Sequence, residues 1–583
     1  MSRPRRVLAW LIVLLAAAAG CSGDDGAAGP DAGTDAAPPP DAGPDLTGPL
    51  FDPDHVLDVR IEVAPADWDT IRHQNRSLGD LLGSCLSAPF PSPFTYVEAT
   101  VTIDGQRLPR VGLRKKGFLG SLDDVKPSLR LKLDEYVADQ RLAGLTSITL
   151  NNSKQDPSYV RQCLAYRTFA AAGIPAPRCN FAHVRVGGVD LGVYVHVETV
   201  GKPFLRRHFV SDAGNLYEGT LSDFRAGWTA TFDLKTNEAA ADRRDLDVVR
   251  AALERPDGEL VAALEPVIDI DQFLTFWAAE VLVTHWDGYA GNANNFFVYD
   301  DPTSGRFHFM PWGVDATFLA SDNPFGDGGA RTAVQAQSLL PRRLYQLPAM
   351  RDRYLTKLRQ LLATVWDEAA LRAEVARMGA LIRPIADPDG SRGLAGELAA
   401  VEAMIAGRRA RIEQELAPGP PTWPAPLRDA PCLMPIGDLA GTFRTTWGTA
   451  GAPDPFATGT GTLTGTVLGA PVVTTAVGAT AGLDTNVVPP APPKAILADV
   501  ALRPDGSAYV VAFQLDPALV APGARPIDLQ QVVAALYLYR PAGNTFELVG
   551  LIASGTLTFQ QAATTPGATI VARFDGRLIR SPF

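Results

Sequence analysis

The sequence predicts an α+β chain: a β-rich first part, a helix-rich second part and a small all-β region at the end. Three observations carry this. Val56-Leu57-Asp58-Val59-Arg60-Ile61-Glu62-Val63 alternates apolar and polar residues, as a half-buried strand does. From about Asp269 the apolar residues fall mainly at helical spacing, and 351–417 reads as helix with charged faces carrying Arg408, Arg409 and Arg411. Beyond a Pro-rich stretch from Pro418 to Pro431, residues 432–583 are rich in Gly, Thr and Val and hold several short strand candidates. At 583 residues the chain is too long for one core, so two or three domains are expected.

Taken in order, residues 1–21 read as a lipoprotein signal peptide. Arg3, Arg5 and Arg6 precede an apolar run from Val7 to Ala19 that is short for a membrane span. Ala18-Ala19-Gly20-Cys21 has the small residues before cysteine of a lipobox, which implies export and a lipid anchor on Cys21 at the cell envelope or cell surface. Residues 22–47 contain little that can be buried and read as a disordered linker. A domain over 48–418 and a β-sandwich-like domain over 432–583 follow.

Within the first domain a short helix starts at Ala64-Pro65, and strands are expected over Tyr96–Ile103, Arg110–Arg114 and Ser128–Leu133. A helix over Tyr159–Ala172 stops at Gly173, a residue suited to a left-handed cap. Strands Phe181–Val186 and Leu191–Glu198 flank the turn Gly187-Gly188-Val189-Asp190. Strands Asn295–Tyr299 and Phe307–Met310 interrupt the helical part. In the last domain strands are expected over Tyr509–Gln514, Ala534–Tyr539, Thr556–Phe559 and Thr569–Phe574.

Composition excludes several functions. A net charge of −11 argues against a nucleic-acid footprint. Cys85, Cys163, Cys179 and Cys432 form no CxxC or Cys/His cluster, so in an exported protein they read as bridges or buried thiols rather than zinc ligands, with three pairings open. No G-x-S-x-G or H-E-x-x-H motif suggests a hydrolase.

The densest polar constellation is Thr284-His285-Trp286-Asp287-Gly288-Tyr289-Ala290-Gly291-Asn292-Ala293-Asn294-Asn295, between a helix and an aromatic strand. Asp287 and Asn292 stand five positions apart, the separation of the protein-kinase catalytic loop, where Asp accepts a hydroxyl proton and Asn binds metal. After the next strand, Phe307-His308-Phe309-Met310-Pro311-Trp312-Gly313-Val314-Asp315 delivers a second carboxylate, placed like a kinase metal-binding Asp. In the smaller lobe Ser128, Arg130 and Lys132 share one strand face and Leu129, Leu131 and Leu133 the other. The polar face fits phosphate contact or a solvated edge.

From roughly Val56 to Leu416 the chain resembles the CotH kinase family, the spore coat CotH-like proteins. The ordered pieces are Val111-Gly112-Leu113-Arg114 with Gly117 and Ser121, Lys126-Pro127-Ser128-Leu129-Arg130-Leu131-Lys132, Leu150-Asn151-Asn152 before Gln155-Asp156-Pro157, Arg161, the Gly173–Arg178 break, Gly192-Val193-Tyr194 to Glu198, Asn215-Leu216-Tyr217, and the Asp287 and Asp315 segments.

The resemblance implies a divergent protein-kinase-like two-lobed domain binding ATP and Mg²⁺ or Mn²⁺, with Asp287 catalytic and Asp315 plus either Asn292 or Asn295 on the metal. Lys126, Arg130 and Lys132 are implied as joint candidates for the phosphates, and the backbone of Glu198 for adenine. Arg114-Lys115-Lys116-Gly117-Phe118-Leu119-Gly120-Ser121 departs from the family's Arg-Gly-Asn-Ser-Ser type loop, Gly313 replaces a frequent Asp, and no Glu is evident for the usual Lys–Glu pair.

The activity implied is an exported atypical protein kinase acting on Ser or Thr of exported or surface proteins. The alternative is a non-catalytic adhesin or coat-assembly protein that keeps the fold. The C-terminal domain is expected to bind protein or glycan.

Overall fold

A computed structural model of the chain describes residues 47–76, 85–240, 242–322, 331–427, 434–484, 493–528 and 531–580. The leader, Cys21, nearly all of the 22–47 linker and Cys432 lie outside the described residues. Among them no helix is long and apolar enough to cross a membrane. They form two compact units, 47–75 with 86–427, and 434–580.

In the larger unit seven strands close into a barrel: β1 (Val56–Val63), β2 (Val97–Ile103), β3 (Gln106–Lys116), β4 (Ser128–Lys132), β5 (Ser147–Asn151), β6 (Cys179–Val186) and β7 (Val189–Val197). The order round the barrel is β1-β2-β3-β4-β5-β7-β6, antiparallel except where β1 meets β6. Alternation explains the closure. Leu57, Val59 and Ile61 of β1, Leu129 and Leu131 of β4, and Ile148 and Leu150 of β5 all enter one core, while their sequence neighbours point outward. Burying each such leucine contributes about 1.5–3 kcal/mol.

Within the barrel, the sequence reading lacks β5 and the β1–β6 closure, which joins residues more than a hundred positions apart. The β6–β7 turn is also tighter than expected. Gly187 and Gly188 alone make it, at φ 56° and 83°, and Val189 and Asp190 already belong to the strand, with Val186 opposite Val189. Two successive positive φ values are the reason for two glycines.

The outer face of β6 and β7 (Phe181, Val193, Val195, Val197) packs on Cys163, Leu164 and Phe169 of the helix Arg161–Ala171 and merges with the core of a helix-rich lobe. A disulfide between Cys163 and Cys179 ties that helix to the start of β6. Cys85 is also disulfide-bonded, to a partner outside the described residues.

The second lobe holds a sheet of β8 (Leu216–Gly219), β9 (Asp233–Leu234), β10 (Phe296–Asp301) and β11 (Arg306–Pro311), ordered β11-β10-β8-β9. The helix Ile270–Leu282 packs against β11, Pro348–Thr364 packs against that helix, and Glu368–Ala386 pairs with Leu394–Leu416. Ile270–Leu282 starts at Asp269, whose carboxylate accepts the Gln272 amide at 3.0 Å. The larger unit is therefore a β-rich lobe followed by a helix-rich lobe, as the sequence predicts.

The stretch expected as a linker from Pro418 is hydrogen-bonded to the helical lobe over its described residues, 418–427. Carbonyls of Pro421, Thr422, Ala425 and Pro426 accept hydrogen bonds from Tyr345, Arg331, Arg342 and Gln337. Prolines lack N–H donors, but their extended backbone presents carbonyls outward, and side chains of the helical lobe take them up.

The C-terminal unit is all β, as expected, but not two separate sheets. Its strands β12 (Met434–Thr446), β13 (Gly459–Val467), β14 (Ala470–Pro471), β15 (Ala476–Asp484), β16 (Lys494–Leu502), β17 (Ala508–Leu515), β18 (Gly523–Ile527), β19 (Val532–Arg540), β20 (Thr545–Gln561) and β21 (Thr569–Arg580) form one hydrogen-bonded sheet. The sheet curls until β15 lies against β12 and β13. Bulges in β20 at Ile552/Ser554 and Phe559/Gln561 supply the bend.

Candidate active site

The Thr284–Asn295 loop follows directly on the helix Ile270–Leu282, and Glu280 near the end of that helix fixes its course. The fully buried Glu280 carboxylate accepts the amides of Tyr289 at 2.8 Å and Ala290 at 3.0 Å. Close packing demands the glycines here. A Cβ on Gly288 would stand 2.1 Å from Glu280 Oε1, and one on Gly291 would stand 2.1 Å from the carbonyl oxygen of Trp286. Thr284, Ala293 and Asn295 all have left-handed backbone (φ 57°, 56° and 51°), a conformation that costs of order 1–3 kcal/mol for such residues and clusters at functional sites.

Asp287 lies at the centre of this loop, fully buried. Three side-chain amides donate to it: Asn292 Nδ2 to Oδ1 at 2.5 Å, Asn294 Nδ2 to Oδ1 at 3.2 Å, and Asn295 Nδ2 to Oδ2 at 2.7 Å. Burial pushes its carboxyl up to about 6, against the lowering effect of the Asn292 and Asn294 bonds and of His285, and the nearby charge of Asp315 adds to the rise.

Asp315 reaches the same place through the β10–β11 hairpin. Phe296 pairs with Pro311, and one step further the Trp312 amide donates to the Asn295 carbonyl at 3.1 Å, so the two loops leave the ladder side by side. Gly313 then turns the chain at φ 50°, and Asp315 sits in the short turn Val314–Ala316. It opens on a narrow cleft with about 330 Å³ of empty space, lined by Lys116, Gly117, Ser121, Ser128, Asn151, Asn152 and Gln162 from the β-rich side and by Trp312, Gly313 and Asp315 from the other.

The donor set suits a hard cation. Asn295 Oδ1 is buried and accepts no hydrogen bond among the described residues, and Asp315 contributes a carboxylate at the cleft. No group of three or more His, Cys, Asp or Glu among the described residues could form a cage of its own. One carboxylate and one amide oxygen, completed by substrate phosphates and water, is the arrangement expected of Mg²⁺.

The expected nucleotide contacts are placed differently from one another. The alternation of β4 is as read, with Leu129, Leu131 and Leu133 in the barrel core, but the opposite face is not a solvated edge: Ser128 and Arg130 are buried. Arg130 lies opposite Arg114. Lys132 pairs with Glu135 at 3.0 Å, away from the cleft lining. Lys126 donates to the carbonyl of Val193 at 2.7 Å between the rings of Tyr159 and Tyr194, and burial lowers it to about 8.

Glu198 is held in an ion-pair cluster with Arg178 at 2.8 Å and Arg207. Its amide donates to the carbonyl of Arg178 at 2.9 Å, because Glu198 extends the β6–β7 ladder.

Sequence reading passed over Lys116, Asn151, Gln162 and Glu280 as site residues. Lys116 had one available signal: it stands immediately before Gly117, at the end of β3.

The family model described as CotH kinase protein matches residues 113–405. The inner spore coat protein H of Bacillus subtilis (strain 168) is 24% identical over 252 residues, covering 41% of this chain and 69% of that protein. Invasin CotH7 of Rhizopus delemar is 21% identical over 350 residues, 56% of this chain and 55% of the invasin. This chain spans just under a third, 31%, of invasin CotH2 from the same fungus. The solved structure of the Helicobacter pylori proinflammatory kinase CtkA aligns at 10% identity and TM-score 0.27, over 49% of this chain and 88% of that one. With its matched segment containing the barrel strands β4 to β7, the cleft and both aspartates, the chain belongs to the CotH kinase protein family.

Proposed function

We propose that this chain is an exported protein kinase that transfers the γ-phosphoryl group of ATP to Ser or Thr hydroxyls of exported or surface proteins. The observation that carries the reading is the closeness of Asp287, held by three asparagine amides, to the charge of Asp315, which lines the cleft. In this role Asp287 Oδ1 or Oδ2 accepts the proton of the acceptor hydroxyl, and the asparagine amides orient the carboxylate. Asp315 and the Asn295 oxygen would hold Mg²⁺ or Mn²⁺, which supplies charge neutralisation for the phosphates when bound. Asn292, the other metal candidate, then acts through Asp287.

A surface or coat location is supported by the relatives, whose names are those of spore coat proteins and invasins. The Cys163–Cys179 bridge fits an oxidising compartment. Attachment to the membrane through lipid on Cys21 belongs to the same reading. A second reading, a non-catalytic adhesin or coat-assembly protein, draws on those same names.

Incubating the purified full chain with γ-labelled ATP, Mn²⁺ or Mg²⁺ and surface proteins of the source cells separates them. Label transfer that drops at least about 100-fold in Asp287→Asn and in Asp315→Asn supports the kinase. Transfer undiminished in both variants sinks the mechanism, and a parent chain that labels nothing favours the adhesin.

A further inference from the structure

Asp287 stays in place only while the loop that follows it keeps its course, and two sets of bonds fix that course. The Tyr289 and Ala290 amides are held by Glu280. Their carbonyls are held from the other side: that of Ala290 accepts the Gln337 amide at 2.8 Å, and that of Tyr289 accepts the Ser338 hydroxyl. Leu339, which opens the helix Leu339–Gln346, donates its amide to the buried Asp223 carboxylate at 2.9 Å, and Tyr289 donates its hydroxyl to the other oxygen at 3.0 Å. Glu280 is built into the helix that leads to the loop. Residues 337–339 come from beyond Asp315, so their hold lasts only while that segment is itself secured.

The Pro-rich strap secures it. Arg331 donates to the carbonyl of Thr422 at 3.0 Å, Gln337 Nε2 to that of Pro426 at 3.0 Å, Tyr345 to that of Pro421 at 2.6 Å, and Arg342 to that of Ala425. Trp423 packs against the core of the helical lobe. Three of the six strap residues, Pro421, Pro424 and Pro426, have no N–H, so the strap is held by its carbonyls. Bonds of this kind near the surface contribute little each and open without unfolding the lobe. Gln337 belongs to both sets: its backbone N–H holds Ala290 and its side chain holds Pro426. We infer that the strap Pro421–Pro426 is a latch on the Asp287 loop and that Gln337 is the positioning residue joining the two. The inference rests on the kinase reading and deepens it. With the latch open, the carbonyls of Tyr289 and Ala290 lose their donors, the left-handed residues of the loop relax, and Asp287 shifts from where it meets the acceptor hydroxyl.

Hydrogen exchange of the full chain, read by mass spectrometry on the segments 287–292 and 332–339, tests the latch, and label transfer from ATP tests its consequence. The double variant Gln337→Met/Tyr345→Phe removes two donors to the strap and keeps both shapes. Its amides in the two segments should exchange at least about tenfold faster than the parent's, with the rest of the larger unit unchanged. Its kcat should fall at least about tenfold while KM for ATP stays within about twofold. Gln337→Lys, which still offers Pro426 a donor, should stay within about threefold of the parent in both readouts.

Unchanged exchange in the two segments overturns the inference and leaves the kinase reading standing, as does faster exchange spread evenly over the larger unit, which marks a structural role. A parent chain that transfers no label overturns the kinase reading and the catalytic consequence with it, while the exchange result still decides the latch.

Discussion

Asn295 donates Nδ2 to Asp287 Oδ2 at 2.7 Å while its own Oδ1 stays buried with no hydrogen-bond partner among the described residues. Asn294 uses both ends, donating to Asp287 Oδ1 and accepting the Leu221 amide at 3.2 Å. Two asparagines on one carboxylate are thus unequal in what they can offer a cation.

The expected consequence is a split in metal affinity. Asn295→Ala should weaken Mn²⁺ binding, followed by electron paramagnetic resonance with a non-hydrolysable ATP analogue, by about 10- to 100-fold. Asn294→Ala should change it by less than about threefold. Equal losses in the two variants would remove Asn295 from the metal site.

Arg408 anchors the frame behind these residues. Its buried guanidinium donates to Asp322 and to the carbonyls of Val281, Leu282 (3.2 Å) and Thr332 (2.9 Å), joining the end of the helix that leads into the Asp287 loop to the chain beyond Asp315. Asp322→Ala leaves that charge buried and should lower stability by about 3–5 kcal/mol. The double variant Asp322→Leu/Arg408→Met should recover part of it, because no buried charge remains and the cation left without Asp322, Arg411, is partly exposed to water. Thermal unfolding of the two decides; a double variant no more stable than Asp322→Ala contradicts the account.

Local pattern made some of this legible and not the rest. The alternation in β1 and β4, the Gly173 cap and the Asp287 and Asp315 segments depend on neighbours in sequence or on an ordered set of motifs, and the structure places them together. The meeting of Lys116, Ser128 and Asn151 in the cleft lining depends on strand register, which no single segment encodes. The side-chain partners of Lys126 and Glu198 were equally out of reach: the carbonyl of Val193 and the guanidinium groups of Arg178 and Arg207 meet them only once the strands have paired. The β1–β6 closure is invisible to any reading by segments.

The Cys163–Cys179 bridge closes a loop with a sequence separation of 16 between the helix Arg161–Ala171 and β6. On loop-closure entropy it should contribute about 3 kcal/mol. Cys163→Ala/Cys179→Ala should therefore lower the denaturation midpoint of the β-rich lobe by a corresponding amount, with Cys85 left intact. An unchanged midpoint would mean the reduced helix is already held by its apolar contacts.

Asp499 gives the C-terminal unit a pH dependence of unusual sign. It stands on β16 with Ala495, Leu497 and Ala501 on the same face, all in the core, and it is fully buried with neither carboxylate oxygen bonded to a donor among the described residues. Burial raises its carboxyl well above the ordinary value of 3.8. The folded state therefore keeps a proton that the unfolded state releases, and stability is fully present below about pH 3.8 and falls as pH rises toward the folded value. Paired carboxylates elsewhere act in the opposite direction, so the test is a difference: Asp499→Asn, which never ionises, should unfold at higher temperature than the parent at pH 7, with the gap closing as the pH drops toward 4. A gap that is constant with pH would show that Asp499 is charged, and partnered, in the folded protein.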